Sequence, residues 1–366
     1  MTYPHTLPAL GWDKFFASQL ESLDDPLLVP ARLAVENRGS YLAYTPEGEV
    51  WAEISGRFRH RVTVRSELPT VGDWVALRPS DNGPALITHL FERRTKFSRK
   101  QSGDRYDIDS DRIARVEEQI IASNIDRLFV VSALTDEFNS RRIERYLTMA
   151  WEGGSVPVLV LNKSDLTDPA PKLEQAASSC PGVEIITTST INGDGIDGLR
   201  SYLVAGTTGA LVGSSGVGKT SLINSLIQDS DRAVQPTRDD DRGRHTTSRR
   251  ELVRLPGGGY LIDTPGLREL QLWTTNDGLS TAFDEISELA TGCRFRDCTH
   301  MHEPGCVVMA ALESGGLEQD RYDSYRKLQR EAERLVRKQD PMLRREELRR
   351  WKAISKSMRD AKPGRH

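Results

Sequence analysis

The most specific chemistry in the chain lies in GSSGVGKT, Gly213 to Thr220. It satisfies G-x-x-x-x-G-K-[ST], the spacing of a phosphate-binding loop. Gly213, Gly216 and Gly218 let the backbone of Gly213, Ser214, Ser215, Gly216, Val217 and Gly218 curl so that successive N–H groups face one centre. Lys219 can reach β- and γ-phosphates, and the Thr220 hydroxyl can coordinate the Mg²⁺ that accompanies a nucleoside triphosphate. Ser221 continues into TSLINSLI, which reads as a helix whose N-terminus favours anions. TGALV ahead of the loop reads as a strand, the frame such a loop needs.

Two further motifs fit the same chemistry. DTPG, Asp263 to Gly266, follows the strand-like GGYLI; Asp263 can hold the Mg²⁺ shell and the Gly266 N–H can approach a γ-phosphate. NKSD, Asn162, Lys163, Ser164 and Asp165, ends the run VPVLVL. A carboxylate at Asp165 can accept from the guanine ring N–H and exocyclic amine together, whereas adenine offers neither donor. A site built on such a bond rejects the wrong base by about 10⁴. Asn162 is expected at the base edge, with the Lys163 stem over the ring. VQPTRDDDRGRHTTSRR, up to Arg250, has the polar, glycine-containing texture of a switch loop, in which Thr247 or Thr246 can cap Mg²⁺ and the γ-phosphate.

Cys293, Cys298, His300 and Cys306 read C-x4-C-x-H-x5-C. Three thiolates and one imidazole fill a tetrahedral zinc shell with no open position, so one structural zinc per chain is expected. His302 is the weaker ligand candidate, and Cys180 stands apart. Clustered cysteines in a reducing compartment point to metal rather than disulfides.

The elements that must position these residues follow from texture. At 366 residues with 37% hydrophobic content, the chain can build two or three ordinary cores. Its apolar runs fall far short of a membrane helix, and MTYPHTLPALGWDKFF lacks a signal-peptide pattern, so a cytoplasmic protein with no membrane partner is expected. RLAVEN, YLAYT, VWAEIS, HRVTV, DWVALRP and ALITHLFE read as short strands with Gly/Pro/Asn turns, a small barrel of the oligonucleotide-binding type. DRLFVVSAL and VPVLVLN alternate with the amphipathic SRRIERYLTMAWE, implying a mostly parallel α/β sheet. The tail from Arg321 holds 16 Lys/Arg against 7 Asp/Glu, a net of +9 on an acidic body whose overall charge is −3. That gradient suggests a polyanionic partner, and Arg294 and Arg296 would add to an RNA-phosphate platform. Leu348, Trp351, Ile354 and Met358 mark one helix face. The expected division is a lead-in over 1–30, a barrel over 31–100, a linker over 101–120, a nucleotide domain over 121–275 and a zinc and basic helical domain over 280–366.

The three nucleotide motifs together resemble the Ras-like GTPases, in which TTSTINGDGIDGL would be the fifth motif with Ser189 at its serine. The order, however, is rotated: NKSD comes first, the phosphate loop second and DTPG last. The sequence therefore resembles a circularly permuted GTPase. Where Ras-like enzymes place a water-orienting Gln after DxxG, this chain has Leu267, which makes His245 the candidate for that role. With GRHTT in the switch and the Cys-Cys-His-Cys spacing, the chain from Ala31 onward resembles the ribosome-small-subunit-dependent GTPases of the RsgA (YjeQ) family. The resemblance implies an N-terminal all-β barrel, a central α/β permuted P-loop GTPase and a C-terminal α-helical zinc-binding domain. It also implies binding of GTP/GDP and of the small (30S) ribosomal subunit with its rRNA, subunit-stimulated GTP hydrolysis, and a monomer. The alternatives are a P-loop ATPase or small-molecule kinase with a zinc-stapled lid, and a nucleotide-holding RNA-binding scaffold.

Overall fold

The structure, a computed structural model, describes residues 6–37, 39–81, 83–101, 117–135, 138–227, 250–263 and 276–339. The chain divides into two units, Met1–Arg99 with Glu118–Leu272, and Lys100–Glu117 with Trp273–His366.

The first unit opens with a 3₁₀ turn, Pro8–Leu10, and helix α1, Lys14–Glu21, capped by the Asp13 carboxylate accepting from the Phe15 N–H. These residues are more than a lead-in. Leu10 and Phe16 are buried, and Trp12 packs against Phe16, Trp74 and Phe91. Five strands follow: β1 Val29–Asn37, β2 Ser40–Thr45, β3 Gly48–Ile54, then helix α2 Gly56–Arg61, then β4 Trp74–Arg78 and β5 Ala85–Leu90. β1–β2, β2–β3, β4–β5 and β1–β4 pair antiparallel and β3–β5 parallel, closing a barrel in the order β1-β2-β3-β5-β4-β1. Ala31 with Leu33, Tyr41 with Ala43, and Val75 with Leu77 fill its interior at the period of two that a half-buried strand requires. HRVTV, expected as a strand, is not one. Ser55 Oγ accepts from the Phe58 N–H and starts α2, which buries Phe58, and the Glu67 carboxylate then takes the Thr63 and Val64 N–H groups. A cap and a local turn outweigh β-branched alternation over so short a run.

β6, Lys96–Gln101, pairs with β7, Glu117–Ser123; residues 102–116 of the expected linker lie outside the described residues. The α/β part follows as β8 Arg127–Ala133, α3 Ser140–Glu152, β9 Val156–Asn162, α4 Ala170–Ser179, β10 Glu184–Thr188, α5 Ile196–Arg200, β11 Thr208–Gly213, α6 Lys219–Ile227, β12 Glu251–Arg254 and β13 Tyr260–Asp263. The strand order is β10-β9-β8-β11-β13-β12, parallel except for β12. Successive residues of β8 enter different cores: Leu128 and Val130 one, Phe129 and Val131 the other. That is why these strands read as unbroken apolar runs. β12 also pairs with β1 at Val35 and Glu251, so the barrel and the α/β sheet are continuous.

The second unit contains α7 Asn276–Ala282, α8 Asp284–Thr291, α9 Val307–Ser314 and α10 Gln319–Gln339. Buried Arg321 on α10 donates to the Ala282 carbonyl and the Glu285 carboxylate and lies 4.2 Å from the centre of the Phe283 ring. The expected face Leu348, Trp351, Ile354 and Met358 lies outside the described residues. No described helix is long and apolar enough to cross a membrane.

Candidate functional site

The carboxyl ends of the parallel strands gather the motifs, where ligands of open α/β sheets bind. NKSD ends β9, the Ser189 segment follows β10, the phosphate loop follows β11, and Asp263 ends β13.

The loop's glycines are required by space as well as by curl. Gly213 has φ +148°, and a Cβ there would lie 2.2 Å from the Val131 carbonyl oxygen. Gly218 has φ +97°, and a Cβ there would lie 2.2 Å from Asn162 Nδ2. Lys219, first residue of α6, curls back so that its ammonium donates to the carbonyls of Gly213 (2.8 Å) and Ser214. Val217 is buried beneath the loop, while Ser215, Gly216, Thr220 and Ser221 are exposed on it.

NKSD and the phosphate loop are joined directly. Asn162 is 1% exposed; its Nδ2 donates to the Val217 carbonyl at 2.8 Å and its Oδ1 accepts from Thr188 Oγ1 at 3.0 Å. Its amide thus ties one loop to the other, and the Val217 carbonyl takes one of the two Nδ2 hydrogens. Lys163 adopts φ +67°, and the Ser164 N–H donates to the Thr188 carbonyl. Asp165 is exposed, and its Oδ1 accepts from Ser189 Oγ at 2.6 Å. Ser189 Oγ in turn accepts from the N–H groups of Ile191 and Asn192 at 3.2 Å each. One oxygen of Asp165 is thus oriented by a fully buried serine, and Oδ2 has no hydrogen-bond partner among the described residues.

Asp263 is half-buried at the end of β13, next to β11. Its carboxylate and the exposed Thr220 hydroxyl each offer oxygen, the donor type Mg²⁺ takes. Gly266, Leu267, His245, Thr246 and Thr247 lie outside the described residues.

Two contacts were not legible as motifs. Arg142 on the first turn of α3 donates from Nη1 to Ser214 Oγ at 2.5 Å. Its only sequence signal is a basic residue opening the helix after β8. Glu303, beside the cysteine cluster, accepts from the N–H groups of Thr299 (3.0 Å), Met301 (2.9 Å) and His302 (3.1 Å). The Thr299 hydroxyl first, then the Met301 and Thr299 N–H groups, hold its carboxyl far below the usual carboxylate range.

In the second unit, Cys293, Cys298, His300 and Cys306 bring their ligand atoms within 4.8 Å of one another. His300 Nδ1 is 3.6 Å from both Cys293 Sγ and Cys306 Sγ, and those sulfurs are 3.9 Å apart. A tetrahedral ion with metal–sulfur bonds of ~2.3 Å and metal–nitrogen bonds of ~2.05 Å requires edges of about 3.8 and 3.6 Å. Cys293, His300 and Cys306 therefore match three corners of one metal site, Cys298 brings a fourth donor within 4.8 Å, and 3.9 Å excludes a Cys293–Cys306 disulfide. His300 has φ +57°; Tyr322 on α10 donates to its carbonyl and Arg326 to that of Thr299 at 3.0 Å. Burial pushes the imidazole below its ordinary value, favouring the neutral form that ligates metal.

The sequence model of the RsgA GTPase family matches residues 90–273. A relative from Opitutus terrae named small ribosomal subunit biogenesis GTPase RsgA is 44% identical over 366 residues, covering 97% of each chain. A relative of the same name from Streptomyces avermitilis is 40% identical over 370 residues, covering 98% of this chain and 95% of its own. The crystal structure of YjeQ from Thermotoga maritima superposes with a TM-score of 0.61 at 25% identity, covering 84% of this chain and 99% of that one. That of YloQ, described as a circularly permuted GTPase, gives a TM-score of 0.59 at 23% identity, covering 84% and 95%.

Proposed function

Because the chain belongs to the RsgA GTPase family, we propose that it binds the small ribosomal subunit with GTP, hydrolyses the nucleotide there to GDP and phosphate, and leaves. It is a GTP hydrolase of ribosome assembly. The observation that carries the nucleotide reading is the Asn162–Val217 hydrogen bond, which joins a guanine-type motif to a phosphate loop that follows it in sequence. The curated relatives' shared name supports the ribosomal reading, and neither the ATPase and kinase alternatives nor a catalytically idle scaffold has an observation in its favour.

The roles follow from position. Asp165, oriented by Ser189, reads the two guanine donors, and the Lys163 stem covers the ring. The N–H groups from Ser214 to Thr220 and the Lys219 ammonium hold the phosphates, with Ser221 on the same helix end. Thr220 and Asp263 hold Mg²⁺, which neutralises charge on the β- and γ-phosphates when bound. Gly266 and a threonine of the pair Thr246/Thr247 sense the γ-phosphate, and His245 orders the attacking water, in place of a glutamine. Zinc is the ion that three thiolates and an imidazole with tetrahedral edges favour. It staples the 293–306 loop rather than taking part in hydrolysis. The basic helical tail supplies phosphate contacts to rRNA. The protein acts in the cytoplasm as a monomer, with domains near 31–100, 121–275 and 280–366.

GTP turnover measured with and without purified small subunits tests this reading. Stimulation by the small subunit, with ATP a poor substrate, is expected. Unstimulated turnover would remove the ribosomal partner and leave the nucleotide site standing.

A further inference from the structure

Arg142 lies outside every nucleotide motif, yet its guanidinium is the second cationic head on Ser214, whose carbonyl already receives the Lys219 ammonium. Its position is fixed by the fold. The Asn139 side chain caps α3 by accepting from the N–H of Arg142 itself, at 3.0 Å. Ile143, Leu147 and Met149 then bury the helix against the sheet. The guanidinium thus rests on a rigid element.

The contact makes little sense as a stabilising one. An exposed arginine surrenders up to ~2 kcal/mol of rotamer entropy when held, and a neutral hydroxyl acceptor returns about that much or less. Arg142 has no carboxylate partner among the described residues. An uncompensated guanidinium on the rim of an anion-binding loop is instead what a charged ligand favours, because hydrogen bonds and fields that involve phosphate are stronger than those to a hydroxyl.

We propose that Arg142 is a positioning residue of the triphosphate site, acting through Ser214: it fixes the first turn of the phosphate loop and adds a positive charge whose benefit grows with the number of phosphates. This rests on the GTPase reading above. In hydrolysis, water bonds to the γ-phosphorus as the bond to the β–γ bridging oxygen breaks; GDP keeps that electron pair, one water proton stays on the released phosphate and the other passes to solvent. A loop held in register by Arg142 keeps its donors aimed as that charge moves.

The test compares GTP and GDP dissociation constants, by fluorescent nucleotide titration, for the full chain and for R142A, R142K, S214A and R142A/S214A. R142A is expected to weaken GTP roughly tenfold or more and GDP less. R142K, which keeps the charge but not the planar fork, should recover part of the loss. S214A should reproduce part of it, and the double variant should lose less than the two single losses combined, because the residues act through one contact. Unchanged affinities in R142A, equal losses for GTP and GDP without recovery by R142K, or fully additive losses would each overturn the proposal. Full-length protein that bound no GTP would overturn the GTPase reading as well; tight GTP binding by both it and R142A would overturn this inference alone.

Discussion

Replacing Arg32 should loosen the first unit as a whole. The side chain is 2% exposed and donates to three carbonyls: Leu10 at 2.5 Å, Gly72 at 3.4 Å and Asn124 at 3.0 Å. They belong to the N-terminal segment, the barrel and the link between β7 and β8. Its guanidinium carbon is 5.8 Å from the Trp74 ring centre and 5.9 Å from that of Tyr260. Burial pulls its pKa from 12.5 to about 10, with the Asp126 charge opposing the shift. At 1.36 kcal/mol per pKa unit, holding the charge inside costs about 3 kcal/mol. In Arg32→Met that penalty vanishes, but the Leu10 and Asn124 carbonyls lose their donor at about 2 kcal/mol each and the Trp74 and Tyr260 rings lose a desolvated cation at about 1 kcal/mol each, while the Gly72 carbonyl keeps Asn124 Nδ2 at 3.0 Å. The balance is a loss of about 3 kcal/mol, equivalent to a fall in melting temperature of roughly 6–12 °C for a unit of this size. Thermal and urea unfolding followed by circular dichroism give the number, and hydrogen exchange at residues 10–16, 72–74 and 124–126 shows whether all three segments open together. A loss under about 1 kcal/mol, or exchange confined to the N-terminal segment, would refute the view that one buried cation holds the three.

Asp165→Asn sets an amide donor against the exocyclic amine of guanine; GTP affinity should fall roughly a hundredfold or more while xanthosine triphosphate, with a carbonyl there, gains, as competition titrations would report. Gly218→Ala drives a Cβ into Asn162 at a backbone φ of +97°, so nucleotide binding should disappear with the melting temperature of the second unit unchanged. Glu303→Gln removes the charge that gathers the Thr299, Met301 and His302 N–H groups, and a colorimetric chelator should strip the metal faster. Since the fold lowers the Glu303 pKa, its contribution is present above the ordinary carboxylate value near ~4.3 and fades as pH falls below it, so the variant and the parent should converge in acid.

What could be read ahead of the structure divides by sequence distance. The phosphate loop was legible because its glycines, lysine and hydroxyl act within eight residues, and the β8 and β9 runs because two buried faces demand unbroken apolar sequence. The cysteine cluster was legible for the same reason of short range. HRVTV misled because the deciding residue, Ser55, lies upstream of it and works as a cap. Asn162 bonds a carbonyl 55 positions away, Arg142 a hydroxyl 72 away and Arg32 carbonyls 22, 40 and 92 away. No local pattern announces such partners. The aromatic residues near the N-terminus were visible, but their purpose was not, since Trp74 and Phe91 supply the surface they cover.

The rotated motif order places the mechanical joint of the first unit at a particular strand. β12 lies between β13 and the barrel's β1 in the sheet, the Tyr44 hydroxyl donates to the Leu252 carbonyl at 3.3 Å, and Arg250 faces Glu36 at 3.6 Å. The chain enters β12 from residues 228–249 and leaves β13 into 264–275, the two segments expected to face the γ-phosphate. β9 and β10, which carry NKSD and lead into the Ser189 segment, occupy the other end of that α/β sheet, with β11 and its phosphate loop between. The NKSD motif therefore lies toward one edge of that sheet and the barrel is attached at the other. Here the barrel comes first in the chain, and its first strand pairs with β12 at Val35 and Glu251, so the chain's N-terminal domain is fastened to the strand that follows residues 228–249.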